Sequence, residues 1–362
     1  LRRRCDPAEV WAVVKADGYG HGAVVAARAA LRAGATGLCV ALVSEGVHLR
    51  RAGITAPVLL LSEQPTEQID AVLGHRLTPS VYTPDHVAAV AARTSETVAV
   101  HVNVDSGMQR VGVRPAGLPA LIEALRAAVP AVRVDAIYTH LACADEPDHP
   151  ANAQQLARFD DALDVLDAGG VSTALRHAAN SAAALALPAA RRSFVRAGIA
   201  VYGISPGPGV DHLCDGLRPA LTLSARVSLV KDVAAGTSIS YGWRHRFERG
   251  TRVATVPLGY ADGVPRRLGT IVDDGVARPG ADVLIGGRRC PIVGVVTMDQ
   301  FMVDVGDAPV AAGDEVVLIG AQGGDRIRAE DWAARLGTIG YEIVCGISGR
   351  IPRVVRTDTD PS

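Results

Sequence analysis

The first part of the chain alternates short apolar segments with longer segments rich in alanine and leucine. The apolar segments have few polar positions, which is typical of strands buried on both faces of a parallel sheet. Between them lie segments of strong helix formers with glycine or proline stops, such as AVVAARAALRAG and LPALIEALRAAV. The predicted strands are, in order, VWAVVKA, GLCVAL, PVLLL, LTPSVYT, VAVHVNV, VDAIYTHL, ALRHAAN and VRAGIAVYG.

Eight βα units of this size fit a (β/α)₈ barrel of the TIM type. A doubly wound open sheet is the alternative architecture. Eight regular units, and the absence of a GxGxxG motif after the first strand, favour the closed barrel. We therefore predict an α/β fold with a TIM-type barrel over residues 1–216.

The pattern changes near residue 217. Short β-branched segments such as RVATVPLGYADG, CPIVGVV, FMVDVGD and DEVVLIG are then separated by Gly, Asp and Pro, and only RAEDWAARLG keeps a helical period. This predicts a separate, mostly β domain over residues 217–362. A chain of 362 residues also exceeds the size at which one core usually stops growing. Because the chain begins at Leu1 rather than at a methionine, we expect an N-terminal piece to precede it.

Composition argues against several classes of protein. The formal net charge of −1 gives no overall attraction to nucleic acid or to an anionic membrane. No apolar segment approaches the roughly 20 residues that span a bilayer. The six cysteines are far apart and lack CxxC or metal-finger spacing, which favours a reducing compartment. We expect a cytoplasmic protein that binds no nucleic acid, no membrane and no metal.

Candidate reactive residues lie at the C-terminal ends of the predicted strands, which face the active site in a barrel. They are Lys15, Tyr19, Asp105, Arg110, His140, Asn180, Ser181 and Arg196. The loops after strands seven and eight usually bind phosphate in this fold, and here they contain NSAA and RAGIAVYG. A lysine at the end of a buried strand beside a phosphate site suggests a Schiff base with pyridoxal phosphate.

Each of these residues also has a purely structural interpretation. The aliphatic part of Lys15 can be buried while its ammonium group reaches solvent. His140 can be a hydrogen-bonded core histidine, and Arg196 can pair with a helix carboxylate. Tyr241 and Tyr260 can be ordinary strand aromatics, and the glycines of GYGHG can form a flexible turn. The residue pattern alone therefore indicates a barrel active site without naming a reaction.

The segment AVVKADGYGHG closely resembles the lysine motif of the alanine racemases, which combine a barrel with a β domain. The similarity continues through VDSGMQRVG, YTHLACAD, HAANSAA, VRAGIAVYG, SYG, PLGYADG, TMDQFMVDV and GYEIVCGISGRIPR. The resemblance implies interconversion of L- and D-alanine with pyridoxal 5'-phosphate, which supplies D-alanine for peptidoglycan. It also implies a homodimer with shared active sites.

The resemblance implies a role for individual residues. Lys15 would bind the cofactor and act as one racemisation base, and Tyr241 of a partner subunit would be the opposing base. Arg196 would bond the pyridine nitrogen. The cofactor phosphate would be bound by Tyr19, Ser181, Gly198, Ile199 and Tyr341. The substrate carboxylate would be bound by Arg110 and Met298. The surrounding residues would be His140, between Tyr241 and Arg196, together with Asn103, Tyr260 and Asp299.

Three positions depart from the family pattern. The family often has a carbamylated lysine where this chain has Asn103, a cysteine where it has Thr297, and a glycine where it has Gln109. Asparagine cannot be carbamylated, but its side-chain carbonyl is a hydrogen-bond acceptor. We therefore predict that the Asn103 amide oxygen bonds the Arg110 guanidinium directly. Because a neutral acceptor binds less strongly than a charged one, Arg110 would keep more positive charge for the substrate.

Three other functions remain as alternatives at this point. A racemase of serine, or of a broader range of amino acids, could use the same scaffold, although Tyr260 and Tyr341 favour a narrow pocket. A non-catalytic pyridoxal phosphate-binding protein would lack the β domain and a base such as Tyr241. The ornithine and diaminopimelate decarboxylases share the fold, but their lysine motif and their cysteine-centred C-terminal motif are absent from the sequence.

Overall fold

The computed structural model describes residues 1–273, 276–278 and 280–356. The chain divides into two compact units, Leu1–Leu217 and Arg218–Ser362. Within the described residues, no helix is both long enough and apolar enough to cross a membrane.

The first unit contains eight strands, and each predicted segment supplies one of them. They are β1 (Glu9–Val13), β2 (Gly37–Val40), β3 (Val58–Leu60), β4 (Ser80–Val81), β5 (Val98–Asn103), β6 (Val132–Tyr138), β7 (Leu175–His177) and β8 (Phe194–Ala197). All pairings are parallel, in the orders β3-β2-β1-β8 and β4-β5-β6-β7. The predicted parallel barrel is confirmed.

Backbone hydrogen bonds link the two groups of four strands on both sides. The Thr78 N–H donates to the Val58 carbonyl at 2.8 Å, which connects β3 with the segment that leads into β4. The Ser193 N–H donates to the Arg176 carbonyl at 2.9 Å, which connects β8 with β7. These bonds satisfy strand edges that would otherwise be left unpaired.

Apart from one short helix before β1, the helices of the first unit follow the strands as expected for βα units. AVVAARAALRAG forms α3 and LPALIEALRAAV forms α7, as predicted. The helices are α1 (Arg2–Cys5), α2 (Lys15–Tyr19, with left-handed backbone angles at Ala16, Asp17 and Gly18), α3 (Ala23–Arg32), α4 (Val43–Arg51), α5 (Ile69–Gly74), α6 (Pro84–Ala91), α7 (Leu118–Ala127), α8 (Ala151–Ala168), α9 (Ser181–Ala186) and α10 (Pro188–Arg191). Short 3-10 helices cover Thr66–Gln68, Pro115–Gly117, Ile199–Tyr202 and Pro208–Leu213.

The even-numbered strands contribute one layer of side chains to the barrel interior. Its members are Cys39, Ser80, Tyr138 and Arg196. The Ser80 and Tyr138 hydroxyls are 2.7 Å apart, and the Arg196 guanidinium carbon lies 4.9 Å from the centre of the Tyr138 ring. Layers built from alternate strands are typical of TIM barrels, and this one brings an arginine into the barrel core.

The second unit is mostly β, as predicted, and its described strands pair in an antiparallel manner. They are β9 (Leu223–Arg226), β10 (Leu229–Val233), β11 (Ser238–Ile239), β12 (His245–Arg246), β13 (Thr251–Val256), β14 (Ile271–Asp273), β15 (Val276–Arg278), β16 (Asp282–Ile285), β17 (Arg288–Val293), β18 (Phe301–Asp304), β19 (Glu315–Gln322) and β20 (Asp325–Ile327). The main sheet has the order β10-β13-β18-β17-β16-β19-β20, with β9 on β19, while β11 pairs β12 and β14 pairs β15.

Two helices accompany the strands of the second unit. The predicted RAEDWAARLG helix is α11 (Ala329–Leu336), and α12 (Gly340–Cys345) was not predicted. The second helix has only six residues, of which Ile343 and Val344 are buried, so its sequence shows no clear helical period. Three 3-10 helices cover Tyr241–Trp243, Tyr260–Asp262 and Arg266–Leu268.

Candidate active site

Lys15 follows β1 at the C-terminal end of the barrel and is half-buried. The residues after it form a left-handed turn, with φ of 51° at Ala16, Asp17 and Tyr19 and 61° at Gly18. Each left-handed residue other than glycine costs roughly 1–2 kcal/mol, because its β-carbon crowds the next carbonyl oxygen. The GYGHG segment is therefore part of an ordered and strained turn beside the candidate lysine.

Two local features hold the end of this turn against α3. The Asp17 carboxylate accepts a hydrogen bond from the Ala23 N–H, at the start of that helix, at 2.8 Å. At Gly18, a β-carbon would lie only 3.1 Å from the Ala26 β-carbon. A side chain at Gly18 would therefore push the turn away from the helix.

Arg196 lies on β8 and is 3% exposed. Its Nη1 is 2.6 Å from Nδ1 of His177, and its Nη2 donates to the Thr139 carbonyl at 2.7 Å and lies 3.2 Å from Nδ1 of His140. A guanidinium has donors only, so the Nδ1 atoms of both histidines must be acceptors. Each imidazole therefore carries its proton on Nε2.

The His177 proton continues this hydrogen-bond chain into the barrel. Nε2 of His177 is 3.2 Å from Nδ1 of His101, which accepts the bond. The His177 ring is stacked between Tyr138 and Phe194, at centroid distances of 4.6 and 4.0 Å. Stacking on both faces fixes the orientation of the ring that faces Arg196.

Burial keeps these histidines neutral. It lowers the pKa of His101 to about 4, an effect that Asp135 opposes and Arg196 reinforces. It also lowers the pKa of His177 well below the usual value, and the positive charge of Arg196 adds to that shift. A neutral His177 is required for the Nδ1 lone pair that Arg196 uses.

His140 is affected by the positive charges of three side chains. Its pKa is lowered to about 3, first by burial and then by the charges of Arg196, Arg110 and Lys15. Three cations that act on one imidazole concentrate positive potential at this end of the barrel. Such a site suits a ligand with phosphate or carboxylate groups.

Ser181, Gly198 and Tyr19 meet at the same end of the barrel. The Ser181 hydroxyl oxygen accepts from the N–H groups of Gly198 at 2.8 Å and Ala200 at 3.3 Å. A β-carbon at Gly198 would lie 2.6 Å from the Tyr19 hydroxyl, so a side chain here would displace the Tyr19 ring. Ile199 begins the 3-10 helix here and is fully buried. The two amides occupy the lone pairs of the Ser181 oxygen, which leaves the hydroxyl proton as the donor that a phosphate oxygen can accept.

The predicted bond between Asn103 and Arg110 is wrong. Both residues are described, and no hydrogen bond joins them. The Asn103 amide oxygen instead faces Gly112, where it would lie 3.2 Å from an added β-carbon. Arg110 is exposed. The Asp105 carboxylate accepts from the Gln109 N–H at 2.9 Å and thereby fixes a turn that carries Arg110 beyond the end of β5.

Tyr241 lies in the second unit, on a turn with unusual backbone angles. Ser240 and Trp243 have φ of 66° and 46°, and the Ser240 hydroxyl donates to the Val295 carbonyl at 3.0 Å. Tyr241 is 72% exposed and Trp243 is 76% exposed. Two large aromatic side chains are thus presented to solvent by a strained turn.

The second unit also brings Tyr260, Met298 and Asp299 together. The Tyr260 N–H donates to the Thr297 carbonyl at 3.0 Å, next to Met298 in the chain. Asp299 pairs with Arg350 at 3.0 Å, and the same guanidinium is 3.4 Å from a carboxylate oxygen of the buried Asp262. Tyr341 lies on α12 of the same unit and is half-buried.

Sequence reasoning missed two histidines. His177 precedes the quoted NSAA segment and His101 lies within the VAVHVNV strand, and neither was proposed as a site residue. The available signal was an imidazole within an apolar strand segment, between Val100 and Val102 for His101 and before Ala178 and Ala179 for His177. Among the described residues, no three His, Cys, Asp or Glu side chains cluster as metal ligands do.

Family models match most of the chain. The model described as "Alanine racemase, N-terminal domain" matches residues 1–206, and "Alanine racemase, C-terminal domain" matches residues 220–355. The alanine racemase of Symbiobacterium thermophilum is 49% identical, with 99% of this chain and 93% of the relative covered. That of Thermobifida fusca is 46% identical, with 98% and 93% covered.

Solved structures are also similar. Alanine racemase from Bacillus anthracis, with bound L-Ala-P, has a TM-score of 0.90 at 39% identity, with 98% of this chain and 89% of that chain covered. The enzyme from Streptomyces coelicolor A3(2) has a TM-score of 0.88 at 39% identity, with 98% and 93% covered. The likeness therefore extends over both units of the chain.

The buried histidines predict a pH dependence of stability. The pKa of His101 is about 4 in the folded chain and about 6.5 in an unfolded one, so the unfolded chain binds the proton first as the pH falls. Stability that is present above pH 6.5 is therefore lost on acidification. At pH 5 the loss through His101 is about 2 kcal/mol, measurable by urea unfolding at pH 5 and pH 7.

Replacing His101 by asparagine should make this decline shallower, because the variant lacks one of the buried neutral imidazoles, while His140 and His177 remain. The exposed His212 provides the matched control, and His212→Asn should leave the decline unchanged. An equally steep decline in His101→Asn and in the unmodified protein would contradict the assignment of a buried neutral imidazole.

Proposed function

The chain belongs to the alanine racemase family of isomerases, and we propose that it interconverts L- and D-alanine with pyridoxal 5'-phosphate by a two-base mechanism. The observation that carries this proposal is the arrangement at the barrel end. The half-buried Lys15 follows β1, and at the same end of the barrel the Ser181 hydroxyl accepts hydrogen bonds from two backbone amides.

The residues present fit pyridoxal phosphate. The amides of Gly198 and Ala200 donate to the Ser181 oxygen and so orient its hydroxyl proton as a donor for phosphate, and the missing β-carbon of Gly198 leaves room for the Tyr19 hydroxyl. Tyr19, Ser181, Gly198, Ile199 and Tyr341 would hold the phosphate. Lys15 would hold the cofactor covalently through Nζ. When bound, the cofactor supplies a conjugated ring that accepts the electrons left behind when the substrate loses its α-proton.

Racemisation requires a base on each face of the substrate α-carbon, so that either enantiomer can lose its proton and regain it on the opposite face. We assign these roles to Lys15 and Tyr241. Tyr241 would take the proton from L-alanine, and Lys15 would take it from D-alanine. Each residue would return a proton when the reaction runs in the other direction.

Arg196 would face the pyridine nitrogen of the cofactor. Because an arginine does not give up a proton at accessible pH, it can donate a hydrogen bond to that nitrogen but cannot protonate it. Arg196 would thereby limit the electron withdrawal that the cofactor supplies, which would favour return of a proton to the substrate α-carbon, as racemisation requires, over transamination.

The substrate carboxylate would be bound by Arg110 and Met298. Arg110 contributes to the positive potential that lowers the pKa of His140, which supports its role in binding an anion. His140 accepts from Arg196 at Nδ1 and so has a proton at Nε2 to donate. The Nε2–H group of His140 would donate a hydrogen bond to the phenolic oxygen of Tyr241 and so orient the second base. Asn103, Tyr260 and Asp299 would line the approach to the substrate.

Tyr241 would come from a second copy of the chain in a homodimer. The exposure of Tyr241 and Trp243 supports this arrangement, because two large aromatic side chains on one turn are commonly covered by a partner. Residues 1–216 would then form the cofactor-binding domain, and residues 217–362 would complete the site of the partner. We place the reaction in the cytoplasm, where D-alanine would serve peptidoglycan synthesis.

The reaction is tested by the products formed from a panel of L-amino acids. We expect D-alanine from L-alanine, with a kcat/KM at least tenfold higher than that for L-serine, because a pocket that fits one methyl group disfavours an added polar atom. Chiral chromatography of the products measures both rates. Lys15→Ala should abolish every product, and a preference for serine or for bulkier residues would contradict the proposed substrate.

The two bases are tested separately by isotope exchange. Tyr241→Phe should abolish racemisation but leave exchange of the α-proton with deuterated water measurable for D-alanine and much weaker for L-alanine, because Lys15 still serves the D enantiomer. Proton NMR of the substrate measures both exchange rates. Equal exchange of the two enantiomers would argue against one base on each face.

A further inference from the structure

The left-handed turn at Ala16, Asp17 and Tyr19 is held from outside by a carboxylate. Glu45, on α4, accepts a hydrogen bond from the Ala16 N–H through Oε1 at 2.6 Å. Ala16 is the first residue of the turn and directly follows Lys15. Hydrogen bonds to an ionised acceptor are shorter and stronger than neutral ones, so this contact is well suited to hold a strained backbone.

The other oxygen of Glu45 serves its own helix. Oε2 accepts from the N–H groups of Ala41 at 2.8 Å and Leu42 at 3.0 Å, at the start of α4. A glutamate in the first turn of a helix commonly accepts hydrogen bonds from the backbone N–H groups at the start of that helix. Such capping accounts for the contacts of Oε2. It does not explain Oε1, because Ala16 is 29 residues away and belongs to the loop after β1.

We propose that Glu45 is a positioning residue, which holds the left-handed turn through Ala16 and so fixes the backbone from which the Lys15 side chain projects. This inference rests on the proposed function only in that Lys15 is the cofactor lysine. The carboxylate joins the end of β2 to the loop after β1, so it couples two neighbouring βα loops at the candidate active site.

Glu45→Gln tests the role of the carboxylate with little change of shape. An amide cannot accept at both ends, so an NH₂ group would face either the Ala16 N–H or the N–H groups of Ala41 and Leu42. We expect hydrogen exchange at the Ala16 amide to become at least tenfold faster in the full-length protein. We also expect kcat to fall at least tenfold, while the KM for alanine changes less than threefold.

A second substitution separates positioning from ordinary capping. Ala16→Gly removes the β-carbon that disfavours the left-handed conformation, so in the Glu45→Gln background it should restore most of the lost kcat. Ala29→Gly, at an exposed position of α3, is the matched control and should restore nothing. If Glu45→Gln does not fold, Glu45→Asp keeps a carboxylate near α4 but shortens its reach toward Ala16, and the same rescue is expected.

The outcomes distinguish this inference from the proposed function. Unchanged exchange at Ala16 in the Glu45 variant, or equal rescue by Ala16→Gly and Ala29→Gly, would overturn the positioning role. The proposed function would fail on a different result, namely that borohydride reduction of the holoenzyme attaches the pyridoxyl group to a lysine other than Lys15. Exchange at the Ala16 amide would still respond to Glu45→Gln in that case.

Discussion

The buried positive charge of Arg196 is the constraint around which the barrel end is built. Arg196 is 3% exposed, and among the described residues no carboxylate pairs with its guanidinium. Burying an ion costs several kcal/mol unless hydrogen bonds replace its water. Here the guanidinium donates hydrogen bonds to two neutral acceptors, Nδ1 of His177 and the carbonyl oxygen of Thr139. The ring of Tyr138 also faces the guanidinium. The histidines must therefore remain neutral, and the positive charge remains available to an anionic ligand.

Much of the fold could be predicted from the sequence because the strands of a closed parallel barrel are buried on both faces. Near-continuous apolar segments mark such strands without any knowledge of their neighbours. The positions of Lys15, His140 and Arg196 near one another followed from the same geometry, since all C-terminal strand ends converge. A left-handed turn at Ala16 and Asp17 could not be predicted, because neither residue is glycine and its bond to Glu45 depends on tertiary structure.

The error at Asn103 shows where motif reasoning reaches its limit. The motif correctly placed Asn103 near the end of β5 and Arg110 in the following loop. It could not show the turn that the Asp105 carboxylate imposes, in which Gln109 takes φ of 57° and carries Arg110 into solvent. Whether two polar side chains form a hydrogen bond depends on the backbone angles of the loop between them. Those angles cannot be inferred from a sequence motif. The contact between His177 and His101 was missed for the same reason.

The central claim is that a permanently charged Arg196, held by neutral imidazoles, leaves the ring nitrogen of the proposed cofactor unprotonated. The most direct measurement is the nitrogen-15 chemical shift of ring-labelled pyridoxal phosphate bound to the full-length protein. The account predicts the shift of an unprotonated pyridine from weakly acidic to weakly alkaline pH, because neither Arg196 nor the neutral His177 can supply a proton. The shift of a pyridinium ion at neutral pH would contradict it.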